Sequence, residues 1–238
     1  ARWMGRRDRF RTELSDCPSR PVCGEIKVAL SLRMLAGGSY LDLVPLFNVS
    51  VSGLYLIFGE FLDWVLATFE FPLVAWMREE KWAILQHLAT QFGEKSNGVF
   101  YGAFGALDGL AVRIRSPTLN EVLDPGNYCC RKGFYALNVQ AICDKLKRFL
   151  WCYPSNKGST HDSAAFAASK LFDMLKEAAV MKGLEERGLF IVGDSADSNS
   201  PSLLVTCDIQ SATEVVNGAK EAFDCHLSSC HIFIECAF

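Results

Sequence analysis

The chain has 238 residues, half of them hydrophobic, which is enough to bury one substantial core with a smaller module beside it. This apolar content excludes a mainly disordered chain, and the formal net charge of −3 excludes a protein that coats nucleic acid by bulk charge alone. Ten cysteines are scattered through apolar patterns and no secretory signal is present, so we expect reduced thiols and not a disulfide framework.

Residues 1–24 are predicted to be a basic N-terminal tail. Five arginines fall within its first eleven positions: Arg2, Arg6, Arg7, Arg9 and Arg11. Because such runs are common and unspecific, we interpret the segment as a solvated tail. A phosphate-binding or nuclear-import segment is the alternative.

A helical domain is predicted over residues 25–98. Apolar residues recur at spacings of three and four from Glu25 to about Phe69, and polar turns flank a short middle helix, Tyr40–Phe47. This order of helices and turns is typical of a helix-turn-helix. The candidate recognition helix, Gly53–Glu60, offers no Arg, Lys, Asn or Gln to base edges, so we favour a structural bundle over a sequence-specific reader of DNA.

The long apolar stretch Leu54–Trp76 does not predict a membrane span, because charged residues and a proline interrupt it. The interrupting residues are Glu60, Asp63, Glu70 and Pro72. We expect buried or amphipathic helices instead. A further helical segment, Trp82–Phe92, leads to the loop Gly93–Gly98, which is the predicted boundary between two domains.

From Val99 the pattern becomes β-rich, and a second domain is predicted over residues 99–238. In chain order its elements are the strands Ala106–Ile114, Gly133–Asp144 and Arg148–Pro154, the helix Asp162–Met181, the strand Leu189–Val192, a polar loop Ala196–Ser202 and the helix Ser211–Phe223. Thr160 or Asp162 is placed to cap the first helix. The first three strands predict a meander, and the fourth, apolar throughout, is typical of a strand buried on both faces. These elements predict an α/β fold of the ribonuclease H-like type, a mixed sheet flanked by helices whose fourth strand lies parallel to the first.

Three acids are the best indication of function. Asp108 and Asp194 each end a short apolar run, and Glu235 follows near the C-terminus. A carboxylate at the end of a buried strand is held rigidly at a sheet edge, and several such groups repel one another unless cations neutralise them. Hard oxygen ligands from three segments therefore predict a site for Mg²⁺ or Mn²⁺.

Other polar residues compete for roles in this site. Arg131 and Lys132 precede the second strand, where they either bind a phosphate or remain solvated. His161 and Asp162 could join the site through their loop, although an acid at a helix start is more commonly a cap. Ser195 lacks the Gly-x-Ser-x-Gly elbow of hydrolases. A cluster near the C-terminus matches no usual zinc spacing: Cys225, His226, Cys230, His231 and Cys236.

Five strings of the sequence carry a family resemblance. They are Gly105-Ala-Leu-Asp-Gly109, the stretch Tyr128–Asp144, Gly158-Ser-Thr-His-Asp-Ser163, Gly193-Asp-Ser195 and Ile234-Glu-Cys-Ala-Phe238. Their order and spacing are those of the PIF/Harbinger-type DDE transposases and their domesticated nuclease relatives, which the chain resembles from Lys27 to Phe238. The resemblance implies a divalent-metal-dependent DNA endonuclease or transposase.

The resemblance also implies the roles of individual residues and the cellular setting. Asp108, Asp194 and Glu235 match the catalytic, metal-binding acids of the family. Arg131, Lys132 and His161 are implied as DNA phosphate contacts, because the family strings include them. The family acts in the nucleus at transposon ends, often with a separate Myb-like DNA-binding partner, which would suit the weak DNA-reading character predicted for the helical domain.

The mechanism implied by the resemblance uses two metal ions about 3.5–4 Å apart at the scissile phosphate. One ion would generate hydroxide and the other would stabilise the leaving 3′ oxygen. Asp108 would bridge both ions, and Asp194 and Glu235 would each complete one coordination sphere. A freed 3′-OH could then attack target DNA by the same in-line chemistry.

Two positions depart from the family pattern. Asp197 replaces an aromatic residue, and His231 replaces an arginine four residues before the third acid, so phosphate binding near Glu235 is weakened. The helix carrying Glu235 would have barely one turn left, which leads us to expect a truncated catalytic domain. The alternative to an active nuclease is therefore a catalytically silent DNA-associated or interaction protein, or a decayed mobile-element fragment.

Overall fold

A computed structural model describes residues 22–95, 98–193, 202–205 and 214–238 of the chain. The chain divides into two compact units, Ala1–Glu70 and Phe71–Phe238. This division lies earlier than the loop Gly93–Gly98 that the sequence indicated as the boundary. The difference arises because the two helices between Leu73 and Lys95 bury apolar residues in the core of the second unit.

The first unit contains three helices in the described residues: α1 (Gly24–Leu35), α2 (Tyr40–Phe47) and α3 (Val51–Thr68). The order of helix, turn, short helix, turn and long helix is as predicted. Asn48, in the left-handed conformation at φ 50°, ends α2, and Ser50 begins α3 by accepting a hydrogen bond from the Gly53 amide at 3.0 Å.

A small apolar core holds these three helices together. Its buried members are Leu30, Leu43, Leu54 and Ile57. Beside it, Lys27 donates to Glu60 at 3.2 Å, although the lysine side chain is only 5% exposed. Because a buried ammonium group is costly without a partner, this ion pair links α1 to α3.

One helical stretch among the described residues, Val51–Arg78, is long and apolar enough to cross a membrane when judged by length and composition only. In the structure it consists of two helices, because α3 ends at Thr68 and the next helix begins at Leu73, directly after Pro72. Length and composition are weak criteria, since core helices satisfy them too.

A five-stranded mixed sheet forms the centre of the second unit, with the strand order β3-β2-β1-β4-β5. The strands are β1 (Ala103–Arg113), β2 (Ala136–Cys143), β3 (Phe149–Lys157), β4 (Phe190–Val192) and β5 (Leu203–Leu204). The first three form the predicted antiparallel meander, and β4 lies parallel to β1. Both predictions are confirmed. The two-residue β5, parallel to β4, was not predicted.

Six helices surround this sheet in the described residues: α4 (Leu73–Arg78), α5 (Trp82–Lys95), α6 (Asp162–Ala167), α7 (Lys170–Leu175), α8 (Ala178–Glu185) and α9 (Glu214–Glu235). The prediction of one helix over Asp162–Met181 is wrong. The buried Ser169 side chain accepts from the Phe172 amide at 3.2 Å and so starts a new helix, α7.

The predicted helix end at Phe223 is also wrong, since α9 continues to Glu235. Leu227, Cys230 and Ile234 recur at spacings of three and four and are buried against the sheet, which explains the extension.

The two faces of the sheet carry different layers. Side chains alternate along β2, so Ile142 joins the core under α4 to α8, whereas Ala141 and Cys143 join the core under α9. A mixed sheet flanked by helices confirms the predicted α/β, ribonuclease H-like architecture.

Candidate active site

Asp108 lies near the middle of β1, opposite Ala141 of β2, and not at the sheet edge that the sequence indicated, because β1 continues to Arg113. Its carboxylate Oδ1 accepts a hydrogen bond from the Gly109 amide at 2.7 Å, so its orientation is coupled to the strand backbone. Ala106, two residues earlier and thus on the same face, packs in the core under α9. The Asp108 side chain therefore belongs to the α9 face of the sheet.

The atoms that surround Gly109 on the opposite face of the sheet support this assignment. A Cβ built on Gly109 would meet Asp162 Oδ1 at 2.2 Å and Gln140 Nε2 at 2.5 Å. Asp162 begins α6, which belongs to the opposite layer. Because neighbouring strand residues point to opposite faces, Asp108 and Asp162 lie on different sides of β1.

Helix α9 is fixed to β1 beside Asp108 by a buried histidine. His231 is 8% exposed, and its Nε2 lies 3.1 Å from the backbone oxygen of Leu107, the residue immediately before Asp108. A carbonyl oxygen can only accept, so Nε2 carries the proton and donates. Cys230 and Ile234 bury their side chains on either side of this contact along the helix.

Glu235 is the last residue of α9, one turn beyond His231. Its Oε1 lies 3.4 Å from His231 Nδ1, and its side chain is 60% exposed. The imidazole therefore lies between the Glu235 carboxylate and the backbone next to Asp108. In this way the structure brings two of the three predicted acids to the same face of the sheet.

The third acid, Asp194, lies outside the described residues, as do Ser195 and Asp197. The strand that precedes it is described. Val192, the last residue of β4, pairs with Ala106 of β1, and the Gly193 amide donates to the Leu204 oxygen at 2.9 Å. Convergence of all three acids thus stays a prediction.

The donor chemistry of the described acids suits a hard divalent cation, since Asp108 and Glu235 offer carboxylate oxygens on one face of the sheet. Within the described part of the chain, no group of three or more His, Cys, Asp or Glu residues is placed to hold a metal ion. Asp194 is not among those residues. In the predicted cysteine and histidine cluster, Cys230 is buried in the α9 core and His231 contacts Leu107.

The prediction that Thr160 or Asp162 caps the helix is wrong. His161 occupies the N-cap position of α6, and among the described residues no side-chain hydrogen bond caps this helix. Asp162 Oδ1 instead accepts from Asn138 Nδ2 at 2.8 Å and from Gln140 Nε2 at 3.1 Å. Its carboxylate satisfies two buried amide groups of β2 because they have no water to bind.

The three predicted phosphate contacts lie at the surface near this network. Arg131 is 83% exposed in its side chain, and its Nη2 lies 4.0 Å from Asp162 Oδ2. Lys132 is exposed, as is His161, whose Nδ1 lies 3.0 Å from the Ser163 hydroxyl. Arg131 and His161 are thus both neighbours of Asp162, which lies on the side of β1 away from the Asp108 side chain.

Sequence reasoning missed the contacts of His231 and the pair Asn138 and Gln140. One signal for the pair was available: two amides at positions i and i+2 of an otherwise apolar strand share one face and need a buried partner. For His231 the sequence offered only its spacing of four from Glu235 on a helix.

Comparison with known protein families gives a match over the C-terminal part of the chain. Residues 107–238, more than half of the chain, match the family described as DDE superfamily endonuclease. No curated protein and no solved structure matches the chain. The matched region starts at Leu107 and includes Asp108, Asp194 and Glu235. This family implies a transposase-like nuclease that interacts with DNA. On the strength of this match and of its ribonuclease H-like architecture, the chain belongs to the DDE superfamily endonucleases.

Proposed function

We propose that this protein is a divalent-metal-dependent DNA endonuclease of the PIF/Harbinger type, and that Asp108, Asp194 and Glu235 are its metal-binding catalytic acids. The observation that carries the proposal is the hydrogen bond from His231 to the Leu107 oxygen, which joins the end of α9 to the β1 backbone beside Asp108. The family match over residues 107–238 supports the nuclease class.

The described acids differ in how they are held. Asp108 is fixed by its central strand and by the Gly109 amide, so its carboxylate needs little reorganisation to bind a cation. Glu235 is a long side chain at a helix end, and this side chain is more than half exposed. Asp108 therefore contributes a rigid ligand and Glu235 an adjustable one.

The register of the parallel strands β1 and β4 supports Asp194 as the third ligand. Ala106 and Val192 are paired, and Asp108 and Asp194 each follow two residues later. Parallel strands in register carry equivalent positions to the same level along the sheet.

The acids would hold Mg²⁺ or Mn²⁺, and their negative charge is what attracts such a cation. When bound, the cation supplies Lewis acidity toward a phosphate oxygen and lowers the pKa of a bound water. The chain's own contribution is to keep carboxylate oxygens on one face of the sheet and to expose Glu235 toward solvent, where a DNA backbone can approach.

The cellular setting follows from the same proposal. We propose nuclear action at transposon ends, with Arg131, Lys132 and His161 as exposed phosphate contacts. A Myb-like partner would supply sequence recognition, because the exposed positions of α3 include Tyr55 and Leu56 and its first two turns carry no Arg, Lys, Asn or Gln.

A plasmid nicking assay in Mg²⁺ tests the proposal. We expect the native chain to nick supercoiled DNA, and we expect Asp108→Ala and Glu235→Gln each to reduce the rate by about 100-fold or more, since each removes a metal ligand. Asp173→Ala is the matched control, because Asp173 is an exposed acid on α7. Its rate should equal that of the native chain.

The second candidate is a catalytically silent, DNA-associated relative. It is favoured by His231, whose Nε2 is engaged with Leu107 and which cannot make the bidentate phosphate contact of an arginine. If the native chain and Asp108→Ala give the same background cleavage, the silent protein is the correct description and the nuclease proposal fails.

A further inference from the structure

We propose that Arg113, Arg131 and Lys132 form a surface that binds the backbone of duplex DNA away from the scissile phosphate. We call these three residues the Arg113 surface. The inference rests on the proposed function for its ligand, DNA. It goes beyond that function by adding Arg113 and by assigning the surface to the side of β1 opposite the Asp108 side chain.

A tight turn brings the three cations together. The Cys130 amide donates to the Phe134 oxygen at 2.8 Å, and Arg131 and Lys132 lie in the turn that this hydrogen bond closes. Arg113, the last residue of β1, places its guanidinium carbon 4.3 Å from the centre of the Phe134 ring. Because a guanidinium group is attracted to the face of an aromatic ring, this contact holds Arg113 beside the turn.

These cations are available to bind an external anion. Arg113 and Lys132 are exposed, and neither forms an ion pair with any residue that the structure describes. The Arg131 side chain is 83% exposed and reaches Asp162 only at 4.0 Å. The Asp162 carboxylate already accepts from two buried amides of β2, so it neutralises little of the Arg131 charge.

The acids between β1 and β2 are engaged in local contacts. Glu121 pairs with Arg115, and Asp124 accepts from a backbone amide at 3.0 Å. Arg115 and the Arg113 surface supply four cations, against Glu121, Asp124 and Asp162, so the charge balance around the surface is positive. Such a surface suits the phosphates of a duplex, which lie close together and release counterions when they are neutralised.

Two observations place the Arg113 surface on the Asp162 side of β1. Arg113 pairs with Ala136 of β2, and Asn138, two residues further along β2 and on the same face, donates to Asp162 at 2.8 Å. Arg131 lies beside the same carboxylate. The end of β1 and the turn therefore present their cations on one face of the sheet.

Distance along β1 also separates the surface from the proposed metal site. Arg113 follows Asp108 by five residues in the same strand, which corresponds to about 17 Å at about 3.4 Å per residue. One strand of a duplex carries a phosphate every 3.4 Å or so along the axis, so about five base pairs fit into this distance. A phosphate held at Asp108 therefore does not reach Arg113, and the Arg113 surface contacts a different part of the DNA backbone.

A simpler role would be that Arg113 only packs on Phe134 and that Lys132 is only solvated. Arg113→Met separates the two roles of the arginine, because it keeps an unbranched apolar side chain on the ring and removes the charge. Lys132→Ala removes a second charge, from the turn itself.

Duplex binding by the full chain in EDTA provides the first test. We expect Arg113→Met and Lys132→Ala each to bind a labelled duplex of about 30 base pairs about 3- to 10-fold more weakly at about 50 mM salt, and to reduce the slope of log affinity against log salt by about one. Lys170→Ala, which removes an exposed charge at the start of α7, is the control and should bind as the native chain does. Native affinity and slope in Arg113→Met, or a native chain that binds no duplex, would refute the inference.

Polyglutamate tests whether the surface binds an acidic protein instead. At equal charge, polyglutamate should displace the labelled duplex far less than unlabelled duplex does, because its charges are less densely spaced. Equal displacement by the two polymers would contradict DNA as the ligand of the Arg113 surface.

Nicking kinetics in Mg²⁺ separate this inference from the proposed nuclease function. Because the Arg113 surface lies away from the scissile phosphate, Arg113→Met should raise the KM for plasmid DNA by about 3- to 10-fold, with the effect in KM and not in kcat. A loss in kcat would place Arg113 at the scissile phosphate and overturn the inference in an active nuclease. If the native chain binds duplex through this surface but does not nick it, the proposed function fails and the inference holds.

Discussion

At the scale of single residues, Gly109 separates the two polar environments around β1. Asp108, on the α9 face, is bonded to the Gly109 amide, while on the opposite face Asp162 and Gln140 occupy the space where a Gly109 side chain would be. Asp108, which precedes this glycine, and Asp162, which faces it, therefore have different roles. Asp108 is a ligand candidate, and Asp162 neutralises buried amide donors.

Gly109→Ala tests this close packing. The new methyl group would lie 2.2 Å from Asp162 Oδ1 and 2.5 Å from Gln140 Nε2, so one of these groups must move and the free energy of unfolding should fall by about 1–3 kcal/mol. Urea denaturation measures the change. Gly218→Ala, on α9, is the control: its new methyl group would meet no atom within 4 Å, so the change should be neutral or stabilising by up to about 1 kcal/mol.

Asp162→Ala tests the assignment of a structural role to this acid. It would leave the Asn138 and Gln140 amides without their shared acceptor, at a cost of about 1–3 kcal/mol in unfolding free energy. Asp162→Asn retains an acceptor oxygen and should lose less. In a Mg²⁺ nicking assay, both variants should retain the native rate per folded molecule, and a loss like that of Asp108→Ala would make Asp162 part of the catalytic site.

The contrast between Asp108 and Asp162 shows what sequence can predict about single residues. The environment of Asp108 follows from the apolar strand around it, so a carboxylate held within the sheet could be predicted locally, although the face on which it lies could not. Asp162 finds its partner 24 residues away on β2, at Asn138. An acid at a helix start commonly caps the helix. Only the packing of α6 on β2 shows that Asp162 instead accepts a hydrogen bond from Asn138.

At the scale of elements, the meander and the parallel β4 were predictable because apolar runs with turn residues between them define strands. The broken α6–α8 segment was not, since its apolar residues continue at helical spacing across the breaks. Ser169 caps α7 and so starts a new helix. A serine within an apolar pattern of helical spacing does not by itself predict such a break. Two residues are also too short a run for an apolar pattern to indicate β5.

The thiols of neighbouring elements should differ sharply in reactivity. Burial, assisted by the nearby charge of Asp144, raises the pKa of Cys143 on β2 to about 12, and burial also raises the pKa of Cys152 on β3. Cys225 and Cys236 are exposed. A thiol reagent near pH 8, followed by mass spectrometry, should label Cys225 and Cys236 rapidly and Cys143 only after unfolding, because the thiolate is the reactive form.

The raised pKa of Cys143 also makes the stability of the folded protein depend on pH. An unfolded cysteine ionises near pH 8.5, whereas folded Cys143 keeps its proton up to about pH 12. The folded state therefore binds more protons between these values, so stability is unaffected below about pH 8.5 and falls as pH rises toward 12. Cys143→Ala should reduce this alkaline slope in urea denaturation, and rapid native labelling of Cys143 would contradict both expectations.

At the scale of the whole molecule, the two units have different chemical characters. The described part of the first unit, residues 22–70, carries two basic and five acidic residues, and one of the basic residues, Lys27, is buried in its pair with Glu60. The second unit holds the five-stranded sheet and all three acids. We therefore expect the nuclease chemistry to belong to residues 71–238.

The charge and the exposed face of the first unit predict weak DNA binding. Phosphate contacts need Lys or Arg, and base readout needs donors that the first turns of α3 lack. A fragment of residues 22–70, checked for helicity by circular dichroism, should cause little change in the fluorescence anisotropy of a labelled duplex at about 50 mM salt, and almost no further change at about 200 mM.

Starting the fragment at residue 22 matters because six arginines of the tail lie before it: Arg2, Arg6, Arg7, Arg9, Arg11 and Arg20. A second fragment of residues 1–70 isolates their contribution: equal, weak binding by both fragments agrees with a solvated tail, and tighter, salt-dependent binding by the longer one assigns phosphate contacts to the arginines. Strong binding by residues 22–70 alone, weakening steeply with salt, would show that the three-helix unit contacts DNA despite its acidic surface.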